Sequence, residues 1–167
     1  MRKLKKDFPE NERLAQSELI FSHLENQEYF KNAKIILAYW SMNDEVHTHS
    51  FIEKAYKNKN ILLPSVNGDD LLIKEYKGIE SMVPGEHFGI LEPSGPIFSE
   101  ESKIDLIIVP GVAFDAQNKR MGRGRGYYDK LLKNSHAIKI GICFDFQFFE
   151  NIPAEPHDVA MDYVIKS

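Results

Sequence analysis

The sequence predicts an α/β protein with a three-layer, Rossmann-like architecture, in which helices flank a mostly parallel sheet. Short apolar segments alternate with segments of helical character along the chain, as they do in βαβ units. Polar residues directly follow several of the apolar segments, and ligands of open parallel sheets bind beyond the carboxyl ends of the strands. Both observations favour a ligand site at one edge of the sheet.

Each element is predicted from its own pattern. Residues 9–28 place apolar side chains at helical spacing, and Pro9 suits a first turn, so a long helix is expected there. The apolar run 33–40 is expected to be a buried strand, and residues 48–58 a helix. The later predicted elements are strands 60–64, 71–76 and 105–110, a helix over 126–134, and strands 139–144 and 163–165. Residues 77–104, which contain a cluster of glycines and prolines, are expected to form a loop.

Size and composition are those of one compact domain, expected to span residues 1–167. The 167 residues are 43% hydrophobic and 28% charged, which allows a substantial core. No segment approaches the ~20 consecutive apolar residues of a membrane helix, and the first residues lack the apolar run of a secretory signal, so a cytoplasmic location is expected. Cys143, the only cysteine, lies in an apolar segment and is expected to be an inert buried thiol.

Residues 120–129 read Arg-Met-Gly-Arg-Gly-Arg-Gly-Tyr-Tyr-Asp and predict a polyphosphate site. Glycine at alternate positions lets the backbone adopt positive φ and approach a ligand closely. The three arginines supply planar forks that match phosphate oxygens. The helix expected to begin near Gly126 would add a partial positive charge, and Asp129 suits a magnesium ion that bridges two phosphates.

Two other interpretations of this segment are weaker. Arginine-glycine-aromatic strings also bind RNA, but the chain has net charge −4 and a pI of about 5.9, whereas nucleic-acid binders usually have a basic domain. A Rossmann dinucleotide fingerprint would pair these glycines with Asp145, about twenty residues further on. However, the first fingerprint glycine directly follows its strand, and here eleven residues separate Pro110 from Gly122.

Four segments together, 39–48, 89–93, 105–115 and 120–129, closely resemble the 5-formyltetrahydrofolate cyclo-ligase family, also called 5,10-methenyltetrahydrofolate synthetase. The resemblance spans nearly the whole chain and preserves the order of the motifs. It implies an ATP- and Mg²⁺-dependent conversion of 5-formyltetrahydrofolate to 5,10-methenyltetrahydrofolate, with release of ADP and phosphate. The implied partners are the folate and ATP, with no nucleic acid and no membrane, and the protein is expected to be a monomer.

The resemblance also implies roles for individual residues. Those implied to bind ATP are Arg120, Met121, Gly122, Arg123, Gly124, Arg125, Gly126, Tyr127 and Tyr128. Those implied to bind the folate are Trp40, Glu45, Arg123, Gly124, Arg125, Gly126 and Tyr127. Arg120, Arg123 and Tyr127 are implied to be catalytic, and Asp129 and Asp158 to hold Mg²⁺. Because a metal contact suits Asp129 better than a core role, Asp129→Asn is expected to abolish turnover with little change in thermal stability.

The residues alone leave simpler roles open. Asp129 would also complement the first turn of its helix, Trp40 would fit the core, and Glu45 would fit a helix cap. Asp158 is one of several carboxylates in a loop.

Other side chains are expected to be structural. Tyr128 is expected to pack on the sheet with Leu131 and Leu132. His47 and His49 alternate without a nearby third ligand type, so exposed or capping histidines are expected rather than a metal pair.

One departure from the family concerns the N-terminus. The family places a lysine and an arginine upstream of the first helix, where they reach ATP, and the alignment would put both before Met1. Either the chain begins late or its ATP site lacks this arm. Lys3, Lys5 and Lys6 are not expected to replace the pair, because they would lie some two helical turns away. The alternative function is a nucleotide-sensing or RNA-binding module without turnover.

Overall fold

The fold is built from eleven strands and four α-helices in a computed structural model that describes residues 7–85 and 89–167. The strands are β1 (Ile35–Leu37), β2 (Asn60–Asn67), β3 (Asp70–Glu75), β4 (Met82–Pro84), β5 (Leu91–Pro93), β6 (Leu106–Val109), β7 (Ala113–Asp115), β8 (Arg120–Met121), β9 (Ile138–Cys143), β10 (Phe148–Phe149) and β11 (Tyr163–Lys166). The helices are α1 (Glu10–Glu25), α2 (Glu28–Asn32), α3 (His49–Ala55) and α4 (Tyr127–Lys133). Lys3, Lys5 and Lys6 lie outside the described residues.

A six-stranded sheet in the order β11-β9-β6-β1-β2-β3 forms the centre. All neighbours are parallel except β2 and β3, which form an antiparallel hairpin. Two small sheets flank it, one in the order β10-β7-β8 and one formed by β4 and β5. The predicted α/β class with a mostly parallel sheet is confirmed.

Helices cover both faces of the sheet, because successive strand residues point to opposite sides. Ile36, Ile61 and Ile108 pack in one core cluster with apolar residues of α1, α2 and α3. Their neighbours Leu37 and Leu62 pack in a second cluster that contains Leu132 of α4, with Tyr128 and Leu131 packed against it. The packing expected for these α4 residues is therefore confirmed, and the sheet lies between two helical layers.

Several boundaries differ from the sequence prediction. The helix expected over 9–28 ends at Glu25, and a separate short helix follows. The strand expected over 60–64 continues to Asn67, because residues 62–67 pair with β3. Pro64 interrupts no ladder with β1, which pairs only as far as Leu62. Residues 77–104 are not simply a loop, since they contain the β4–β5 hairpin. No helix of the described ranges is long and apolar enough to span a membrane.

Candidate active site

A cavity of about 990 Å³ lies beyond the carboxyl ends of β1 and β6. Every residue that the sequence assigns to a site lines it: Trp40, Glu45, Arg120, Met121, Gly122, Arg123, Gly124, Arg125, Gly126, Tyr127, Tyr128, Asp129 and Asp158. The loop that follows β8, the segment that follows β1 and the segment around Asp158 therefore face one space. This position agrees with the binding rule for open parallel sheets.

The glycines of the loop have two different reasons to be glycine. Gly124 and Gly126 have φ of 87° and 69°, in the left-handed region that a side chain disfavours. At Gly122 the reason is space, because a Cβ there would lie 2.7 Å from Nη1 of Arg120. The first glycine thus accommodates an arginine of the protein itself, whereas the next two permit the turn into α4.

Arg120 is buried and bound within the protein. Its Nη2 donates to Oδ1 of Asp129 at 2.9 Å, and its Nη1 donates to the Pro110 carbonyl at 3.3 Å. Within the described residues its Nε has no hydrogen-bond partner. Through these two bonds Arg120, in β8, joins the residue after β6 to the first turn of α4. Asp129 is therefore an anchor of the fold as well as a cavity residue. This contact changes the expectation for Asp129→Asn from a small effect on stability to a loss of stability, because the substitution leaves a buried guanidinium without its counter-charge.

Arg123 connects the loop to the segment after β1. Its Nη2 donates to Oδ1 of Asp44 at 2.8 Å and lies 3.2 Å from Oε1 of Glu45. Burial acts to lower the pKa of Arg123, but the two carboxylates outweigh it and raise the pKa above its usual value. Glu45 is buried, and its Oε2 accepts a hydrogen bond from the Met42 amide at 2.9 Å. Glu45 does not cap α3, whose N-cap residue is Thr48.

Reciprocal hydrogen bonds hold the ends of the 41–48 segment together. The Ser41 amide donates to Oγ1 of Thr48 at 3.1 Å, and the Thr48 amide donates to Oγ of Ser41 at 3.0 Å. The Thr48 hydroxyl also donates to the Tyr39 carbonyl at 2.6 Å. All three side chains are buried. The segment is thus closed at its base, and Glu45 is presented from a rigid turn.

Two tyrosines of α4 are held differently. The Tyr127 hydroxyl donates to the Gly68 carbonyl at 3.0 Å, and Lys130 donates to the Asp69 carbonyl at 3.0 Å, which joins α4 to the β2–β3 turn. Burial raises the pKa of the Tyr128 hydroxyl further above its usual value. A smaller hollow of about 360 Å³ lies between Tyr127, Arg125, Lys130 and Asp69.

The two carboxylates assigned to Mg²⁺ both line the cavity. Oδ2 of Asp158 accepts from the Glu155 amide at 2.6 Å, and Oδ1 lies 3.7 Å from Nε2 of His157. Among residues 7–85 and 89–167 no three His, Cys, Asp or Glu side chains gather as a complete metal site. Magnesium is usually held by one or two carboxylates together with substrate phosphates and water, rather than by an all-protein cage. The donor set therefore fits a magnesium ion that arrives with a nucleotide.

Three parts of the cavity wall were not predicted from the sequence. They are residues 64–71 of the β2–β3 hairpin, residues 90–92 and residues 153–155. Residues 90–92 could have been predicted, because segment 89–93 is one of the four segments that resemble the family. Glu92 there accepts from the Ser65 hydroxyl at 2.7 Å and from the Val66 amide at 3.2 Å, and so fastens β5 to β2.

The positions of Trp40, His47 and His49 differ from the structural roles that the sequence suggests for them. Trp40 is only partly buried and lines the cavity, so it is not simply a core residue. His47 and His49 are neither exposed nor capping, because both are partly buried and the His49 ring stacks on Trp40 with 3.8 Å between ring centres.

Comparison with known proteins agrees with this geometry. The family model for the 5-formyltetrahydrofolate cyclo-ligase family matches residues 1–167. The probable 5-formyltetrahydrofolate cyclo-ligase of Schizosaccharomyces pombe is 35% identical over 156 residues, covering 81% of this chain and 76% of the relative. The mouse 5-formyltetrahydrofolate cyclo-ligase is 31% identical over 169 residues, covering 92% and 83%.

A solved structure gives the same result. The NMR structure of 5,10-methenyltetrahydrofolate synthetase from Aquifex aeolicus superposes with a TM-score of 0.86 at 32% identity, covering 99% of this chain and 88% of the other. Sequence, fold and the placement of the four motifs around one cavity lead to a single assignment. The chain belongs to the 5-formyltetrahydrofolate cyclo-ligase family.

Proposed function

We propose that the protein converts 5-formyltetrahydrofolate to 5,10-methenyltetrahydrofolate in a reaction that needs ATP and Mg²⁺ and releases ADP and phosphate. Family membership makes the chain an ATP-dependent cyclo-ligase of folate one-carbon metabolism. The main structural support for a shared site for ATP and the folate is Arg123, which reaches from the arginine-glycine loop to Asp44 and Glu45 across the cavity. A phosphate-binding loop and a carboxylate suited to a pterin thus share one space.

The chemistry requires activation of the formyl group. The N5-formyl group is amide-like and a poor electrophile. Transfer of the ATP γ-phosphoryl group to the formyl oxygen releases ADP and turns that oxygen into part of a good leaving group. N10 then attacks the formyl carbon and loses its proton, and the C–O bond breaks to release phosphate and leave the methenyl bridge. Catalysis is mainly positioning and charge stabilisation.

The loop would bind the nucleotide. The residues proposed to contact ATP are Arg120, Met121, Gly122, Arg123, Gly124, Arg125, Gly126, Tyr127 and Tyr128, with Arg120, Arg123 and Tyr127 also serving catalysis. Arg123 is half-exposed, and its present partners are carboxylates, so an incoming phosphate would compete for a fork that is already in the cavity. Arg120 would orient Asp129 through their ion pair.

The opposite wall would bind the folate. Glu45 would accept paired hydrogen bonds from the donor edge of the pterin, and Trp40 would contact its flat rings. The loop residues Arg123, Gly124, Arg125, Gly126 and Tyr127 would complete this side. Asp129 and Asp158 would hold Mg²⁺, which neutralises phosphate charge when it is bound.

The test is incubation with 5-formyltetrahydrofolate, ATP and Mg²⁺ while the methenyl chromophore is followed in the near ultraviolet. Absorbance should rise only when all three are present, and ADP should form in equal amount. Omission of ATP or chelation of the metal should each stop the rise. Nucleotide binding without any chromophore would instead support the alternative, a nucleotide-sensing module without turnover, and would overturn the proposal.

A further inference from the structure

The wall of the cavity at Trp40 is backed by a histidine. The Trp40 indole and the His49 imidazole lie 3.8 Å apart between centres, with 12° between their planes. Among residues 7–85 and 89–167, the Tyr76 ring is the next aromatic neighbour of Trp40, at 6.1 Å. Trp40 lines the cavity, whereas His49 is not among the cavity-lining residues. The histidine therefore contacts the indole from behind the wall.

The His49 ring is itself fixed in plane. Its Nε2 lies 3.0 Å from the Ser41 carbonyl, and a carbonyl can only accept, so Nε2 carries the proton in this contact. Burial, the neighbouring His47 and Arg13 lower the pKa of His49 to about 4, despite the opposing hydrogen bond to Ser41. At neutral pH the ring is thus uncharged and keeps one donor and one acceptor nitrogen.

The contact continues into helix α1. The His47 ring centre is 4.5 Å from that of His49, and the His47 amide donates to the Ser17 hydroxyl at 2.9 Å. Ser17 is buried and donates in turn to the Arg13 carbonyl at 2.6 Å. Helix α1 therefore holds the backbone of His47, whose ring lies beside that of His49, and the Ser41 carbonyl holds the His49 ring directly.

We infer that His49 is a positioning residue for the folate pocket, which sets the plane of the Trp40 indole against which the flat rings of the substrate pack. The inference rests on the proposed function, because Trp40 must contact the folate. An aliphatic residue at position 49 would fill space, but it would supply neither the parallel ring nor the hydrogen bond to Ser41. Stacked rings have preferred offsets, so a fixed imidazole favours one orientation of the indole.

The first experiment compares His49→Ala with His49→Phe, which keeps a ring but loses the hydrogen bond. His49→Ala should raise the KM for 5-formyltetrahydrofolate about three- to tenfold and leave the KM for ATP within about twofold. His49→Phe should recover part of the loss, because it restores a parallel ring but not the hydrogen bond to Ser41. The matched control is His47→Ala, which removes the neighbouring ring but keeps its backbone bond to Ser17, and its folate KM should stay within about twofold.

Trp40 is the only tryptophan, so its emission reports the stack directly and without substrate. His49→Ala should move the emission to longer wavelength as the indole gains water, and His49→Phe should do so less. In a Trp40→Ala background, His49→Ala should add little to the folate KM, because the two residues act as one unit.

The outcomes separate the inference from the proposed function. An inactive wild-type protein would refute the proposed function. The tryptophan emission of the variants would then test only whether His49 stacks on Trp40. An active wild type in which His49→Ala changes neither folate KM nor emission would overturn the inference. Independent, additive effects of Trp40→Ala and His49→Ala, or equal rises in both KM values, would overturn it as well.

Discussion

At the scale of single residues, Asp129 has two partners to satisfy, the magnesium ion of the proposed reaction and the guanidinium of Arg120. Asp129→Asn should therefore abolish Mg²⁺-dependent turnover and also lower the free energy of unfolding by about 1–3 kcal/mol, because buried Arg120 loses its counter-charge. Urea unfolding and the absorbance assay measure the two effects.

Asp158→Asn is the matched control for this substitution, because Asp158 has no arginine partner among the described residues. It should impair turnover with a smaller loss of stability. If Asp129→Asn unfolds at the same urea concentration as the wild type, the ion pair makes no net contribution and the anchoring role is wrong.

Substitution of Glu45 is expected to affect binding of the folate more than binding of ATP. Glu45→Gln should weaken the folate about ten- to a hundredfold, because a charged hydrogen-bonding partner is worth ~1.5–3 kcal/mol. Asp44→Asn, at a more exposed carboxylate that contacts the same arginine, should have a smaller effect on folate. Separate KM values for folate and ATP decide the matter, and a loss confined to ATP would contradict the pterin role.

At the scale of elements, Asp115 fastens the segment that leads to one cavity wall to the turn between β7 and β8. Its buried carboxylate accepts from the Gln117 and Lys119 amides at 2.9 Å each and from the Ile152 amide at 3.0 Å. These bonds tie the turn between β7 and β8 to the segment that leads to Pro153 in the cavity wall. One side chain thus fixes the position of a loop over thirty residues away in sequence.

The same bonds predict a pH dependence. Burial acts to raise the pKa of Asp115, but the three amides and Lys119 outweigh it, and the pKa is lowered. The stabilisation is present above the ordinary pKa of an aspartate, about 4, and is lost as pH falls through the lower folded pKa. Asp115→Asn should destabilise the protein at pH 7 and flatten the decline in stability below about pH 4, as measured by urea unfolding. An unchanged acid decline would refute this.

The long elements were predictable and the short ones were not. Strands 105–110 and 139–144 appear in the structure within about a residue, since their runs of apolar residues match buried parallel strands. Strands β8 and β10 have two residues each, too few to carry a period of two. Their pairing is decided by tertiary contacts, which a local pattern does not contain.

The candidate site shows the same division. The composition of residues 120–129 marked the loop, and family resemblance marked Glu45 and Asp158. The side-chain partners of the loop arginines could not be predicted from the sequence. Arg123 binds Asp44, 79 positions away, and Arg120 points inward and binds Asp129. Side-chain direction within a glycine-rich loop depends on backbone angles that composition leaves open.

At the scale of the whole molecule, that residues 1–167 form one domain remains a prediction. Two core clusters on opposite faces share the strands of one sheet, so neither layer should melt alone. Fluorescence of Trp40 and far-ultraviolet circular dichroism should give the same unfolding midpoint. A Trp40 transition at lower denaturant than the loss of helix would show separate units.

The position of β1 has a kinetic consequence. This three-residue strand pairs with β2, with Ile36 beside Ile61, and with β6, where the same Ile36 stands beside Leu106. Within the six-stranded sheet, the strands β1 to β3 and the strands β6, β9 and β11 form two halves that are joined by the pairing of β1 with β6. Trp40 and Glu45 belong to the first half and the arginine loop to the second. A refolding chain therefore acquires a complete binding cavity only after β1 and β6 have paired, so recovery of ligand binding should follow, and never precede, closure of the central sheet.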